Sequence, residues 1–326
     1  MLFAIALFFA APVGAEYLIG YDTSTGRPLV LLASLAIFGP LYGAPAVLIR
    51  EVARRHGLRW PGILALAAAA GILQAGVIDQ SMFSTSYRDI AYWDAMTEPT
   101  WIPALGLSAS STLNFVVGHA VFSFGIPIAL VEAASRTPLV PWLRRAGLLV
   151  AVVLYLAAAA LILTDTLKTE RDHASAVQIA GALTVVVLLI GYAYTFGRRP
   201  VASRDRAVPR AGWVFAGGLV ASLAVNLAPS TWAGFTLGAT VLLAVAATVV
   251  RYGRSPRWSV RHVVALCTGA LVGRAAIGFL VTPLGDDPVP WWAKYGHNTF
   301  FVAGCALLGW WLCRRAARHP CPAAAR

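Results

Sequence analysis

The stretch GILQAGVIDQSMF, residues 71–83, closes an apolar run, yet it carries an amide at Gln74 and a carboxylate at Asp79. Five more polar side chains stand in similarly apolar surroundings: Glu16, Asn114, His119, Asn226 and Arg274. A carboxylate and an imidazole can share general acid–base work or help to place a metal ion. A guanidinium and a carboxylate can pair with each other or with the charged ends of a solute. Amides can bond a solute, or can glue helices together for about 0.6 kcal/mol per contact. Phe115-Val-Val-Gly-His119 sets an aromatic and a histidine one helical turn apart on the segment after Gln74.

Most catalytic patterns are absent. There is no P-loop, no G-x-G-x-x-G behind a strand and no G-x-S-x-G elbow. Cys267, Cys305, Cys313 and Cys321 form no C-x-x-C pair, and no histidine stands at metal-ligand spacing from them. No metal or cofactor is called for, and no catalytic residue set is complete.

The medium is set by composition. The 326 residues are 59% hydrophobic and 12% charged, with mean hydropathy +0.71, against about 45–50% and 25% in soluble domains. Runs of about 20 apolar residues read as membrane spans. The expected fold is all-α, a polytopic membrane helix bundle of about ten transmembrane helices. The spans fall near 1–20, 29–49, 61–79, 105–132, 146–165, 175–196, 212–228, 231–250, 262–282 and 298–313.

Twenty of the 26 Lys and Arg lie in alternate connections, around 50–59, 136–145, 198–210, 251–261 and 314–326. The other connections hold most of the acids, Asp286 and Asp287 among them, together with Trp93, Trp101, Trp291 and Trp292. The positive-inside rule then places the basic connections and both termini in the cytoplasm. The net charge of +12 follows from that arrangement and does not imply nucleic acid. FFAAPVGAEY resembles a signal-peptidase site ahead of Glu16, but Met1-Leu2-Phe3 lacks a basic n-region. A retained first helix is expected; cleavage would leave nine spans with the N-terminus outside.

At 1.5 Å per residue, Glu16, Gln74, Asn114, His119, Asn226 and Arg274 fall about 18–27 Å from the inner face. They are the candidate polar cavity, with Asp79 at its mouth and Glu16 and Arg274 expected to pair. Gly39, Pro40, Gly43 and Pro45 in span two, and Gly125 and Pro127 in span four, would break regular helix there. Residues 1–197 read as an N-terminal bundle, 198–211 as a basic cytoplasmic loop, and 212–326 as a C-terminal bundle with a short basic tail. The expected partners are the bilayer, a small-molecule or lipid ligand, and other membrane proteins. The basic loops can bind anionic headgroups, though topology alone accounts for them.

EYLIG (16–20), GPLYGAPAVLIREVARRHGLRWPGILALAAAAGILQAG (39–76) and GHAVFSFGIPIALVE (118–132) resemble an uncharacterised family of bacterial multi-pass membrane proteins. The resemblance covers about the first 135 residues and implies a fold without a substrate. The family often has two adjacent acids where this chain has Gln74-Ala75. A weaker similarity runs to the CAAX-processing and bacteriocin-processing intramembrane proteases. Those carry E-E-x-x-x-R on one helix and F-x-x-x-H on the next. Phe115 and His119 match the second motif, whereas Gln74 and Ala75 cannot supply the acid and Asp79 stands in place of the arginine. The expected function is therefore a transporter-like or ligand-binding bundle with an outward polar cavity. The alternative is a catalytically degenerate, protease-like scaffold for membrane partners.

Overall fold

The computed structural model describes residues 1–285 and 289–318. Asp286, Asp287, Cys321 and Arg326, used in the sequence reading, lie outside them. Among the described residues the chain is almost wholly helical, and its strands are a two-residue antiparallel pair, Trp101–Ile102 with Leu107–Ser108. Ten apolar helices follow in chain order: α1 Leu2–Tyr17, α2 Pro28–Arg55, α3 Trp60–Ile78, α4 Ala109–Ala134, α5 Arg145–Thr169, α6 Ala176–Arg198, α7 Ala211–Asn226, α8 Trp232–Gly253, α9 Val260–Ile277 and α10 Trp291–Arg318. Eight of them are long and apolar enough to cross a membrane; α1 and α7 are shorter.

Helix is the dictated choice, because a lipid-facing backbone must satisfy its polar groups within its own segment. Local signals set the ends. Pro28 and Pro61 occupy first-turn positions of α2 and α3, where the missing N–H costs nothing. Ser175 and Gln178 form a capping box on α6. Gly57, at φ +67°, turns the chain out of α2. Large apolar side chains cover the outer faces of α5, α6 and α8, with Leu149, Val153, Leu188 and Leu243 all exposed. An apolar helix with apolar outward faces belongs in a bilayer. The protein is a membrane-embedded helical bundle.

The two sets of connections gather separately. At the Arg-rich end, Arg59 N–H donates to Gly197 O at 2.9 Å, Arg204 N–H to Arg254 O at 3.1 Å, and Arg257 pairs with Asp205 at 2.9 Å. At the acid-rich end, Gln80 accepts from Ala174 N–H at 2.8 Å, Gln178 donates to Gly106 O at 3.1 Å, and Leu284 N–H donates to Tyr21 O at 2.7 Å.

The core has two main parts. One joins α1 to α4 through Leu7, Ala11, Leu41, Ala46, Ile63 and Phe124. The other joins both halves of the chain, with Tyr17, Phe122 and Leu130 against Val264, Leu271 and Phe301. Helix α1 is thus a structural member of the bundle. At Gly14 a Cβ would collide with the Phe122 carbonyl, so only glycine lets α1 and α4 approach this closely.

Asp172 pins loops of the acid-rich end. It accepts from Ser84 Oγ at 2.8 Å, Thr85 N–H at 2.5 Å and Thr85 Oγ1 at 2.8 Å. Burial alone would raise this carboxyl, but the Thr85 and Ser84 donors hold it below its ordinary value. A depressed folded-state value means the stabilisation is complete above the unfolded value of about 3.9 and is lost as pH falls through the folded one. Below about pH 4 the 84–92 segment is expected to become a faster pepsin target, and Asp172→Asn should open it to a neutral protease at pH 7. Equal cleavage of wild type and variant at pH 7 would show that Asp172 does not hold the loop.

Candidate functional site

Among the described residues four turns of the bundle are wound wider than an α-helix; three carry a candidate group and the fourth carries Tyr42. They are Val13–Tyr17, with Glu16; Gly39–Gly43, with Tyr42; Gln74–Ile78; and Gly118–Gly125, with His119. In them the N–H bonds reach back five residues, as from Leu18 to Val13 O at 3.3 Å and from Asp79 to Gln74 O at 3.0 Å. Pro12, Pro40 and Pro127 lie in or beside three of the turns; each removes a regular donor and crowds the preceding turn. Such π turns occur often at functional positions. The sequence reading placed helix breaks in α2 and α4 and missed those in α1 and α3.

Glu16 is 7% exposed and accepts a hydrogen bond from the Tyr21 hydroxyl. Tyr42 is buried on the wide turn of α2. It stacks on His119, with ring centroids 5.6 Å apart and planes 22° apart. His119 Nδ1 meets Ser123 Oγ at 3.2 Å, one turn along α4. A Cβ on Gly71 would lie 2.8 Å from His119 Cβ, so α3 passes directly beside the imidazole. Gln74 is buried one turn further on, and its amide donates to Asp79 Oδ2 at 3.1 Å. Asp79 also accepts from Ser81 N–H at 2.9 Å.

Arg274 approaches from α9. Its Nη1 donates to Asn226 Oδ1 at 3.2 Å, and its guanidinium lies 4.4 Å from the centroid of the Phe122 ring. Its Nε is buried without a hydrogen-bond partner among the described residues. Asn226 is held by its own helix, donating to Ser222 O at 2.8 Å. The expected Glu16–Arg274 pair is not a contact: no ion pair joins them among the described residues, and Arg274 bonds Asn226. A neutral amide and an aromatic face hold Arg274 instead. Asn114 is exposed on α4 and makes no side-chain hydrogen bond among the described residues.

The structure therefore gathers Glu16, His119, Arg274 and Asn226, with Gln74 and Asp79 alongside, and leaves Asn114 outside. It adds Tyr21, Tyr42 and Phe122, aromatics that are ordinary on apolar helices and carry no signal of their own in the sequence. With hydroxyl, carboxylate, imidazole and guanidinium groups this close, the cluster can hydrogen-bond and charge-pair a small polar molecule. Among the described residues no group of three or more His, Cys, Asp or Glu is placed to hold a metal ion.

A second polar cluster was missed entirely. Arg50 is fully buried, with Nε 3.1 Å from Glu132 and Nη1 2.7 Å from Glu51. Its Nη2 donates to Pro138 O at 2.6 Å and Val140 O at 2.8 Å, and Trp142 covers its face at 3.4 Å. Arg54 bonds both Glu132 oxygens, at 2.7 and 2.5 Å. Glu51 accepts from the Trp142 and Leu143 N–H groups at 2.8 and 3.1 Å. Every charge here is paired, as in a structural clamp between the Arg-rich ends of α2 and α4. Compared with protein-family models, curated proteins and solved structures, the chain matches none of them.

Proposed function

We propose that the protein is a transporter-like or ligand-binding bundle of the bacterial cytoplasmic membrane, with both termini in the cytoplasm and α1 retained. Its polar cluster takes a small solute that bears an anionic group. The observation that carries this reading is Arg274, a cation within the bilayer span whose only hydrogen bond among the described residues is to a neutral amide. An ionisable residue at that depth is costly, and function is the default reason for keeping it. The anionic end of the solute meets Arg274, while Tyr21, Tyr42 and Glu16 meet its donors and acceptors. The wide turns of α1 to α4 supply the backbone freedom for the cluster to open toward the acid-rich end.

The test is a thermal-shift panel of carboxylates, phosphates, amines and neutral solutes on protein in nanodiscs. An anionic solute near 100 times its Kd should stabilise wild type by about 2.7 kcal/mol, and Arg274→Gln should abolish the response. If no solute shifts wild type, or Arg274→Gln responds equally, the reading fails.

A second reading, a degenerate protease-like scaffold, draws support from the contact of His119 with Gly71 across α3 and α4. Gln74, turned to Asp79, leaves that pair without an acid.

A further inference from the structure

A cavity of about 730 Å³ lies at the Arg-rich end, far along the bundle from the polar cluster. Arg210, Ala211, Gly212, Trp213, Ala216, Arg261 and His262 line it, where α7 and α9 begin side by side. Its volume is that of a small-molecule site, about 300–1,000 Å³. Neither the Arg210 nor the Arg261 guanidinium has a hydrogen bond or ion pair among the described residues. His262, by contrast, is fixed: its Nε2 meets Pro209 O at 3.2 Å and its Nδ1 meets Ser259 Oγ at 3.0 Å. Trp213, which also lines the cavity, is 74% exposed. A second hollow, among Trp310, Trp311, Arg314, Arg315 and Arg318, is weaker ground. There Arg314 lies over the Trp310 ring at 4.0 Å and Arg315 over Trp311 at 5.6 Å, so those cations already have partners.

We infer that this cavity binds the phosphodiester headgroup of an anionic phospholipid from the adjacent leaflet. Two free guanidiniums supply the fork geometry that phosphate oxygens accept. Trp213 supplies the amphipathic ring that sits at headgroup level. Topology explains a surplus of arginine at this end; what sets these two apart is that both line one cavity together with an exposed tryptophan. The lipid source is preferred to free phosphate because an exposed tryptophan lines the cavity beside the two guanidiniums. The site is independent of the solute reading and can stand or fall without it.

The experiment counts lipids retained by detergent-solubilised full chain in native mass spectrometry, with dioleoyl phosphatidylglycerol and dioleoyl phosphatidylcholine offered in equal amounts. Two guanidiniums should favour the anionic lipid on the order of thirtyfold. Arg210→Ala/Arg261→Ala should erase that preference, and Arg210→Lys/Arg261→Lys should keep part of it. Arg144→Ala/Arg145→Ala, which removes the same charge at the same end, should leave it intact. Unchanged thermal midpoints establish that the variants fold. Equal retention of the two lipids by wild type, or the same loss in the Arg144/Arg145 variant, overturns the site. Inorganic phosphate that displaces the anionic lipid at low millimolar concentration overturns the lipid as its occupant.

Discussion

Glu132→Ala is expected to destabilise the protein by about 3–5 kcal/mol, the cost of removing one partner from a buried ion pair. Glu132 is the shared counter-charge of Arg50 and Arg54, and it is 4% exposed against 0% for Arg50. Without it Arg50 keeps Glu51 and two carbonyls, but Arg54 loses both of its bonds to a carboxylate. Water cannot easily replace them, since the Arg54 and Glu132 side chains are 5% and 4% exposed. Glu132→Gln, which keeps an acceptor and loses the charge, should fall between wild type and Glu132→Ala. Asp205→Ala is the contrast, because Arg257 and Asp205 are 59% and 63% exposed and such a pair is worth about 0–1 kcal/mol. The reading is the thermal unfolding midpoint in detergent, with abundance in membranes as a second measure. A Glu132→Ala protein as stable as Asp205→Ala would mean that the network is not a clamp.

That network shows what a sequence reading by charge can and cannot recover. Alternation of basic and acidic connections sorts the loops into two sets, because that rule counts charge per loop. The same counting pooled Arg50 and Arg54 with solvated loop arginines. Their partner Glu132 is about 80 residues away, and no local period links them. A signal existed: Glu51 and Glu132 are two of only three acids assigned to the basic side, the third being Asp205. An acid that persists where arginine accumulates needs a reason, and pairing is the cheapest one.

The polar cluster was legible to a different degree. Depth along each helix follows from rise per residue, so Glu16, His119, Asn226 and Arg274 could be set near one level. Rotation about each helix does not follow from depth, and rotation decided who touches whom. Asn114 shares the level and is turned to the exposed face. Arg274 was expected on Glu16 and instead reaches Asn226. The wide turns at Glu16 and Gln74 add a rotation that a regular 3.6-residue period cannot supply, which is why α1 and α3 were read as straight.

Gly269→Leu is expected to cost about 1–3 kcal/mol or more through overpacking, and to disable the site as well. A Cβ at Gly269 would strike the Phe215 carbonyl and come within 2.9 Å of Leu219 N, and one at Gly218 would strike the Leu266 carbonyl. Gly273 repeats the fit, with Ser222 Cβ at 2.8 Å. Gly269-Ala-Leu-Val-Gly273 is thus a G-x-x-x-G seam that lets α7 and α9 meet backbone to backbone. Arg274 follows the seam directly, so the 3.2 Å bond to Asn226 depends on that approach. A leucine at 269 pushes the helices apart by the width of a side chain and leaves the guanidinium without its amide. Gly217→Leu is the control, since a Cβ there meets nothing within 4 Å. Gly269→Leu should lower the thermal midpoint and lose the response to anionic solutes, while Gly217→Leu keeps both. Should Gly269→Leu match Gly217→Leu in both readings, the seam does not position Arg274.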